Sequence, residues 1–254
     1  MSAPSGRDRP EGLAGEADLD AAFERSLRAV RSAPGPLGVL FSGGVDSGLL
    51  AWELRFEPGL HLYTVGTRDS SDLAAARDAS KALGLPWIEY EVGPSEVLEM
   101  NRALQDEFDG VGRVARSVQV AFALALAKSP PRTLLCGQGI DELFGGYAHS
   151  RGLPLDAAEH RANQDLAKLL NEDWPRTQRI AARLGRSVRA PYLDPGFIEA
   201  SRRIPGRVRF QGSVPKAFFR SWARHRGLPE LLSDRPKKAL QFGSGIERVL
   251  GRGG

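Results

Sequence analysis

Two short stretches of this sequence set carboxylates beside glycines in a pattern suited to an anion and its counter-ion. In the first, Ser42-Gly43-Gly44-Val45-Asp46-Ser47, two residues without side chains let backbone N–H groups approach a ligand closely, and Ser42 and Ser47 add hydroxyl donors. The second, Cys136-Gly137-Gln138-Gly139-Ile140-Asp141-Glu142, is another glycine-rich turn and delivers two adjacent carboxylates. Phosphate groups repel a bare carboxylate, so Asp46 makes chemical sense as a ligand of a magnesium ion that bridges them, with Asp141 gripping the ion from a second side. The plainer alternatives are a simple strand-to-helix turn for the first stretch and a helix cap for Asp141 and Glu142.

Such loops need strands and helices to aim them. The apolar run 37–41 predicts a buried strand, and the helix that follows from residue 46 would point its N-terminal amides at the same anion. Further strands are predicted over 60–65, 86–92 and 132–136, with helices over 18–33, 71–83, 94–108 and 114–128. Strands alternating with helices predict an α/β fold, a doubly wound parallel sheet with ligands beyond the C-terminal strand ends. That rule sets Ser42, Val65, Gly66, Cys136 and Gly137 along one rim. From residue 153 the pattern turns mainly helical, over 154–170, 174–184, 196–203, 214–226 and 245–250. Residues 1–16 read as a disordered tail and 17–250 as one domain, with a nucleotide-binding core over 37–150 and a helical part over 151–250. The helical part either forms a subdomain or packs on the same sheet.

Of 254 residues, 41% are hydrophobic, enough for a substantial core. No run approaches the roughly 18 apolar residues of a membrane span, and the polar start lacks a signal-peptide core, so a cytoplasmic protein is expected. Cys136 is the sole cysteine, which excludes a disulfide framework, a Cys-x-x-Cys redox or zinc site and a four-cysteine cluster within the chain. The four histidines lack metal-ligand spacing. From Arg151 onward 21 Lys/Arg stand against 10 Asp/Glu, whereas the first 150 residues are acidic. A basic C-terminal part suits a phosphate-rich partner, and equally a solvated arginine-rich surface.

With these residues in hand, the two loops, the second continuing Leu143-Phe144-Gly145-Gly146-Tyr147, resemble the synthetase domain of the asparagine synthetase family, among the adenine-nucleotide α-hydrolase-like ATP pyrophosphatases. Arg189-Ala190-Pro191-Tyr192-Leu193-Asp194 is similar to the family's Arg-x-Pro-Phe-Leu-Asp, and the stretch from Leu228 through Arg235-Pro236-Lys237-Lys238 to Gly245 is similar to its basic C-terminal motif. The resemblance implies a Rossmann-like fold that adenylates aspartate with ATP, releases pyrophosphate and passes the acyl group to ammonia. It implies that Phe41, Val65, Cys136 and Gly137 border the adenosine and α-phosphate. Ser42, Gly43, Gly44 and Ser47 would cradle pyrophosphate, Asp46 and Asp141 would hold Mg2+, and Arg116 and Lys238 (or Lys237) would neutralise the leaving charge. For Arg189 and Asp194 a packing salt bridge and a substrate contact are both open.

The chain also departs from the family pattern. Gln138 stands where a glutamate is common, Ile140 where a small residue is common, and Ser187 where a carboxylate is common. Loss of a base removes a route for taking a proton from an attacking amine, worth about 10² to 10⁴ in rate. Nothing before Leu37 is large enough for the family's glutaminase domain, so free ammonia, another amine or a separate glutaminase subunit is the expected nitrogen source. The expected partners are ATP and small carboxylate and amine substrates, with no membrane; a homodimer is left open. Two competitors are a tRNA-modifying ATP pyrophosphatase, disfavoured by the second loop and the lack of paired cysteines, and a nucleotide-binding regulatory subunit altered at Gln138 and Ser187.

Overall fold

A computed structural model describes residues 15–147, 152–210, 214–235 and 243–252. Of the tail expected over 1–16, residues 1–14 lie outside that set, and Glu16 already opens the first helix, α1 (Glu16–Arg31). This helix carries acids in its first turn and arginines in its last, matching the helix dipole, and buries Leu19, Phe23, Leu27 and Val30 along one face. The next elements follow the predicted alternation: β1 (Leu37–Leu40), α2 (Val45–Glu53), β2 (His61–Gly66), α3 (Ser71–Leu83), β3 (Trp87–Glu91), α4 (Pro94–Ala103), α5 (Arg113–Lys128) and β4 (Thr133–Leu135). Ser70 caps α3 by accepting the Leu73 N–H at 3.2 Å, and Gly84 ends it with φ 65°. The helix predicted over 94–108 stops at Ala103, and a 3₁₀ turn over Gln105–Glu107 takes its place.

Beyond β4 come α6 (Ile140–Phe144), α7 (Leu155–Lys168), a π-helical turn (Leu169–Asp173) and α8 (Trp174–Arg183). A fifth strand follows, β5 (Ser187–Arg189), and then α9 (Pro195–Arg203), α10 (Gly206–Arg209), α11 (Ala217–His225), α12 (Glu230–Ser233) and α13 (Ile246–Arg252). Among the described residues the sheet is five-stranded in the order β3-β2-β1-β4-β5, and every pairing is parallel. β1 is central: Val39 pairs with Leu62 on one side and Leu135 on the other. The strand order reverses at the β1–β4 step, the place where a doubly wound sheet opens a crevice at its C-terminal edge. Both glycine-rich loops leave the sheet there.

One aromatic cluster ties the two ends of the chain together. Phe23 of α1 stacks on Tyr192 at a centroid distance of 5.3 Å and meets Trp222 of α11 edge-on at 5.3 Å, while Phe197 and Phe219 close the group. Beneath it, Arg226 donates to Asp20 at 2.8 Å, to Glu53 at 2.6 Å and to Glu24, so a single guanidinium joins α1, α2 and the end of α11. Among the described residues no helix is long and apolar enough to cross a membrane.

Candidate active site

A cavity of about 980 Å³ opens at the C-terminal ends of β1, β2 and β4. Phe41 extends β1 into its floor, donating its N–H to Tyr63 O at 2.8 Å and accepting from Thr64 Oγ1 at 2.5 Å. In the loop beyond, Gly43 has φ 70°, and a Cβ there would lie 2.7 Å from Ala75 O, so the turn backs onto α3 and admits only glycine. Ser42 N–H donates to Ser47 Oγ at 3.2 Å, closing the loop on itself. Gly137 lets the second loop touch the first: a Cβ there would stand 2.9 Å from Asp46 Cβ. Phe41, Ser42, Gly44, Asp46, Ser47, Val65, Cys136, Gly137 and Asp141 thereby line one cavity, with Gly43 shaping the loop from behind.

The two carboxylates converge on a residue that sequence reasoning missed. Lys216 Nζ lies 2.6 Å from Asp46 Oδ2 and 2.7 Å from Asp141 Oδ1. Its side chain is 1% exposed, against 24% and 21% for the two acids. Burial alone would push the ammonium down, but Asp141 and Asp46 outweigh it and hold the group above the ordinary lysine range. Lys216 is the one described non-glycine residue with positive φ, at 59°, a conformation costing about 1 kcal/mol or more. This turn is also why α11 begins at Ala217, later than the predicted residue 214. Arg220, one helical turn on and likewise buried, donates to Pro215 O at 2.9 Å and to Ser233 O, fixing the turn that presents the lysine. At Gly146 a Cβ would fall 1.6 Å from Asp141 Oδ1 and 2.5 Å from Lys216 Cε, so the loop passes the pair only as glycine. The sequence did hold a signal: Lys216 and Arg220 are cations spaced to share the face of Phe219 and Ala223.

Neighbouring groups have shifted acidities. Glu142 turns inward and accepts the Tyr147 hydroxyl at 2.5 Å; burial, then the charge of Asp141, push its carboxyl up to about 7. Burial pushes the Cys136 thiol up to about 12, so it stays protonated and inert at neutral pH. Asp46 and Asp141 offer hard oxygen donors from the first turns of α2 and α6, which fits Mg2+. No group of three or more His, Cys, Asp or Glu that could hold a metal occurs among the described residues, so phosphate and water oxygens would have to complete the ion's octahedral shell.

Other expected site residues fall elsewhere. α5 lines the cavity with residues from Arg113 to Ala125, but Arg116 is not one of them. Its guanidinium sits 5.5 Å from the Phe108 ring and donates to Val111 O at 3.3 Å, so the structure does not bring it to the carboxylates. Lys237 and Lys238 lie outside the described residues. The flanks are fixed at the rim: Arg235 donates to Ser42 O, and Gly243 O accepts from Ser70 Oγ at 2.9 Å. Asp194 is the N-cap of α9, accepting the N–H groups of Gly196 at 2.9 Å and Phe197 at 3.3 Å. Tyr192, from the same motif, donates its hydroxyl to Asp46 O at 2.9 Å and so braces the first loop. Gln138 lines the cavity, its Oε1 buried without a hydrogen-bond partner among the described residues. At the far end α7 contributes Arg161, Asp165 and Lys168, charges that the sequence pattern alone did not single out.

A family model described as asparagine synthase matches residues 18–163 and 155–250. Among curated relatives, a putative glutamine-hydrolyzing asparagine synthetase of Methanocaldococcus jannaschii is 28% identical over 91% of this chain and 50% of its own length. A probable asparagine synthetase of Dictyostelium discoideum is 31% identical over 72% of this chain and 36% of its own. The asparagine synthetase of Gallus gallus is 29% identical over 89% and 43%. The chain thus spans half or less of the length of these relatives. Among solved structures, the NH3-dependent NAD synthetase of Campylobacter jejuni superposes with a TM-score of 0.34 at 14% identity, over 76% of this chain and 93% of that one. Similarity at that level is too remote to bear on function.

Proposed function

The chain belongs to the asparagine synthase family, and from that premise we propose that it is an ATP-dependent, AMP-forming carbon–nitrogen ligase acting on aspartate or a similar small carboxylate. The observation that carries the reading is the meeting of two glycine-rich loops at neighbouring strand ends, with Asp46 and Asp141 sharing one buried cation. A carboxylate oxygen of the substrate attacks the α-phosphorus of ATP, the bond to the β-phosphate oxygen breaks, and pyrophosphate leaves. Ammonia or another amine then attacks the acyl carbon and AMP departs. Little covalent work falls to the protein in the first step, so positioning and charge stabilisation dominate. Ser42 and Ser47 supply hydroxyl and backbone donors to the leaving pyrophosphate, and Lys216 is a fixed positive charge at the same place. Mg2+ held by Asp46 and Asp141 would supply further neutralisation of the phosphates.

In the second step the attacking amine must lose a proton, and Gln138, facing the cavity, is unable to take it. This supports an acceptor or amine other than that of the glutamate-bearing family members, with a separate glutaminase subunit as one nitrogen source. Pyrophosphate exchange into ATP, with aspartate and then with a panel of small carboxylic acids, is the direct test. Exchange with at least one acid is the expected result. ATP binding with no exchange for any acid would sink the ligase reading in favour of a nucleotide-binding regulatory role.

A further inference from the structure

We propose that Lys216 is a resident cation that keeps the Asp46–Asp141 pair from taking magnesium alone, so that metal and nucleoside polyphosphate enter together. The inference rests on the nucleotide-binding part of the function proposed above. Its ground is the position of the ammonium, 2.6 and 2.7 Å from one oxygen of each acid, where a bridging cation would stand. Lys216 offsets one unit of the negative charge that the two acids would show a dication arriving from the cavity, and it is a like charge in contact with both of its ligands. Withdrawal of that charge is resisted on three sides. The lysine backbone is held at φ 59°, Arg220 fastens Pro215, and the Gly146 loop packs against Lys216 Cε.

The donor count points the same way. Two carboxylates fall well short of the six oxygens Mg2+ takes at about 2.0–2.1 Å, and a tightly hydrated ion gives up water reluctantly. A polyphosphate changes both terms at once. It brings oxygens that complete the metal's shell, and negative charge that the ammonium and the metal can share. Lys216 is therefore a positioning residue: it sets the spacing of the two acids and makes their metal site conditional on the nucleotide.

Calorimetric titration of the purified protein with MgCl2, alone and with the unreactive analogue α,β-methylene-ATP, tests this without any turnover. Wild type should show no binding of Mg2+ alone up to the order of 10 mM, and about tenfold or greater tightening once the analogue is present. Lys216→Met should bind Mg2+ alone about tenfold or more tightly than wild type, and its unfolding midpoint should rise with MgCl2. Lys216→Arg, which keeps the charge, should follow wild type. Sub-millimolar binding of Mg2+ alone by wild type, absence of any metal–analogue synergy, or a folded Lys216→Met protein with unchanged Mg2+ affinity would each overturn the proposal. If Lys216→Met does not fold, the wild-type titrations still decide. Failure of pyrophosphate exchange with the synergy intact would remove the ligase reading and leave this one standing.

Discussion

Asp46 and Asp141, both half-buried, share the buried ammonium of Lys216, so neutralising one acid leaves the other still paired with the cation. Asp46→Asn should accordingly keep its unfolding midpoint within a few °C of wild type while AMP formation falls by about 10²–10³. Circular dichroism melting and pyrophosphate exchange on the same preparation check both halves. Glu142 offers a pH signature. Its carboxyl rises from 4.5 to about 7 on folding, so the folded state binds that proton more tightly than the unfolded state. Stability should then fall as pH rises between those values and level off above, by an amount of about 1–3 kcal/mol. Glu142→Gln, which can still accept from Tyr147, should flatten that slope in denaturant titrations of the metal-free protein. The two acidic loops could be read in advance because glycine, serine and aspartate at fixed spacing carry their chemistry locally. Lys216 left only the local signal of a cation beside an apolar helix face, since its partner Asp46 is 170 positions away and only the fold brings them together.

Elements show the same division between local and long-range information. α3 was legible from end to end, because Ser70 and Gly84 mark its limits by their own preferences. β5 was not: Ser187-Val188-Arg189 has one apolar residue, and it is a strand only because β4 offers it an edge, with Val188 opposite Leu134. The Arg226 junction is likewise a product of packing. Arg226→Ala leaves three carboxylates on two helices without their shared cation and should destabilise the protein by about 2–4 kcal/mol, read by urea unfolding, with exchange activity per folded molecule unchanged. Asp194→Ala removes a cap at the start of α9 and should cost about 1 kcal/mol with the exchange KM for the carboxylate unaltered. A raised KM would instead restore Asp194 as a substrate contact.

At the scale of the whole molecule, the parallel α/β plan followed from alternation alone, whereas the placement of the later segments did not. The sheet takes its last strand from residues 187–189, and the cluster around Phe23 takes Tyr192, Phe197 and Trp222 from further on. A fragment ending at residue 150 should therefore lack a cooperative unfolding transition and bind a hydrophobic dye, and a sharp transition in that fragment would contradict the packing described. The central position of β1 carries a consequence in time as well as in space. During synthesis the strand between Leu37 and Leu40 is made well before its neighbour β4, which arrives some hundred residues later, and Arg226, which fastens α1, comes later still. Until then the nascent chain presents an apolar strand with one side open, so productive folding has to wait for a late segment. Refolding of the intact chain should be correspondingly slow, in the range of milliseconds to seconds or longer, as parallel sheets with distant pairings are.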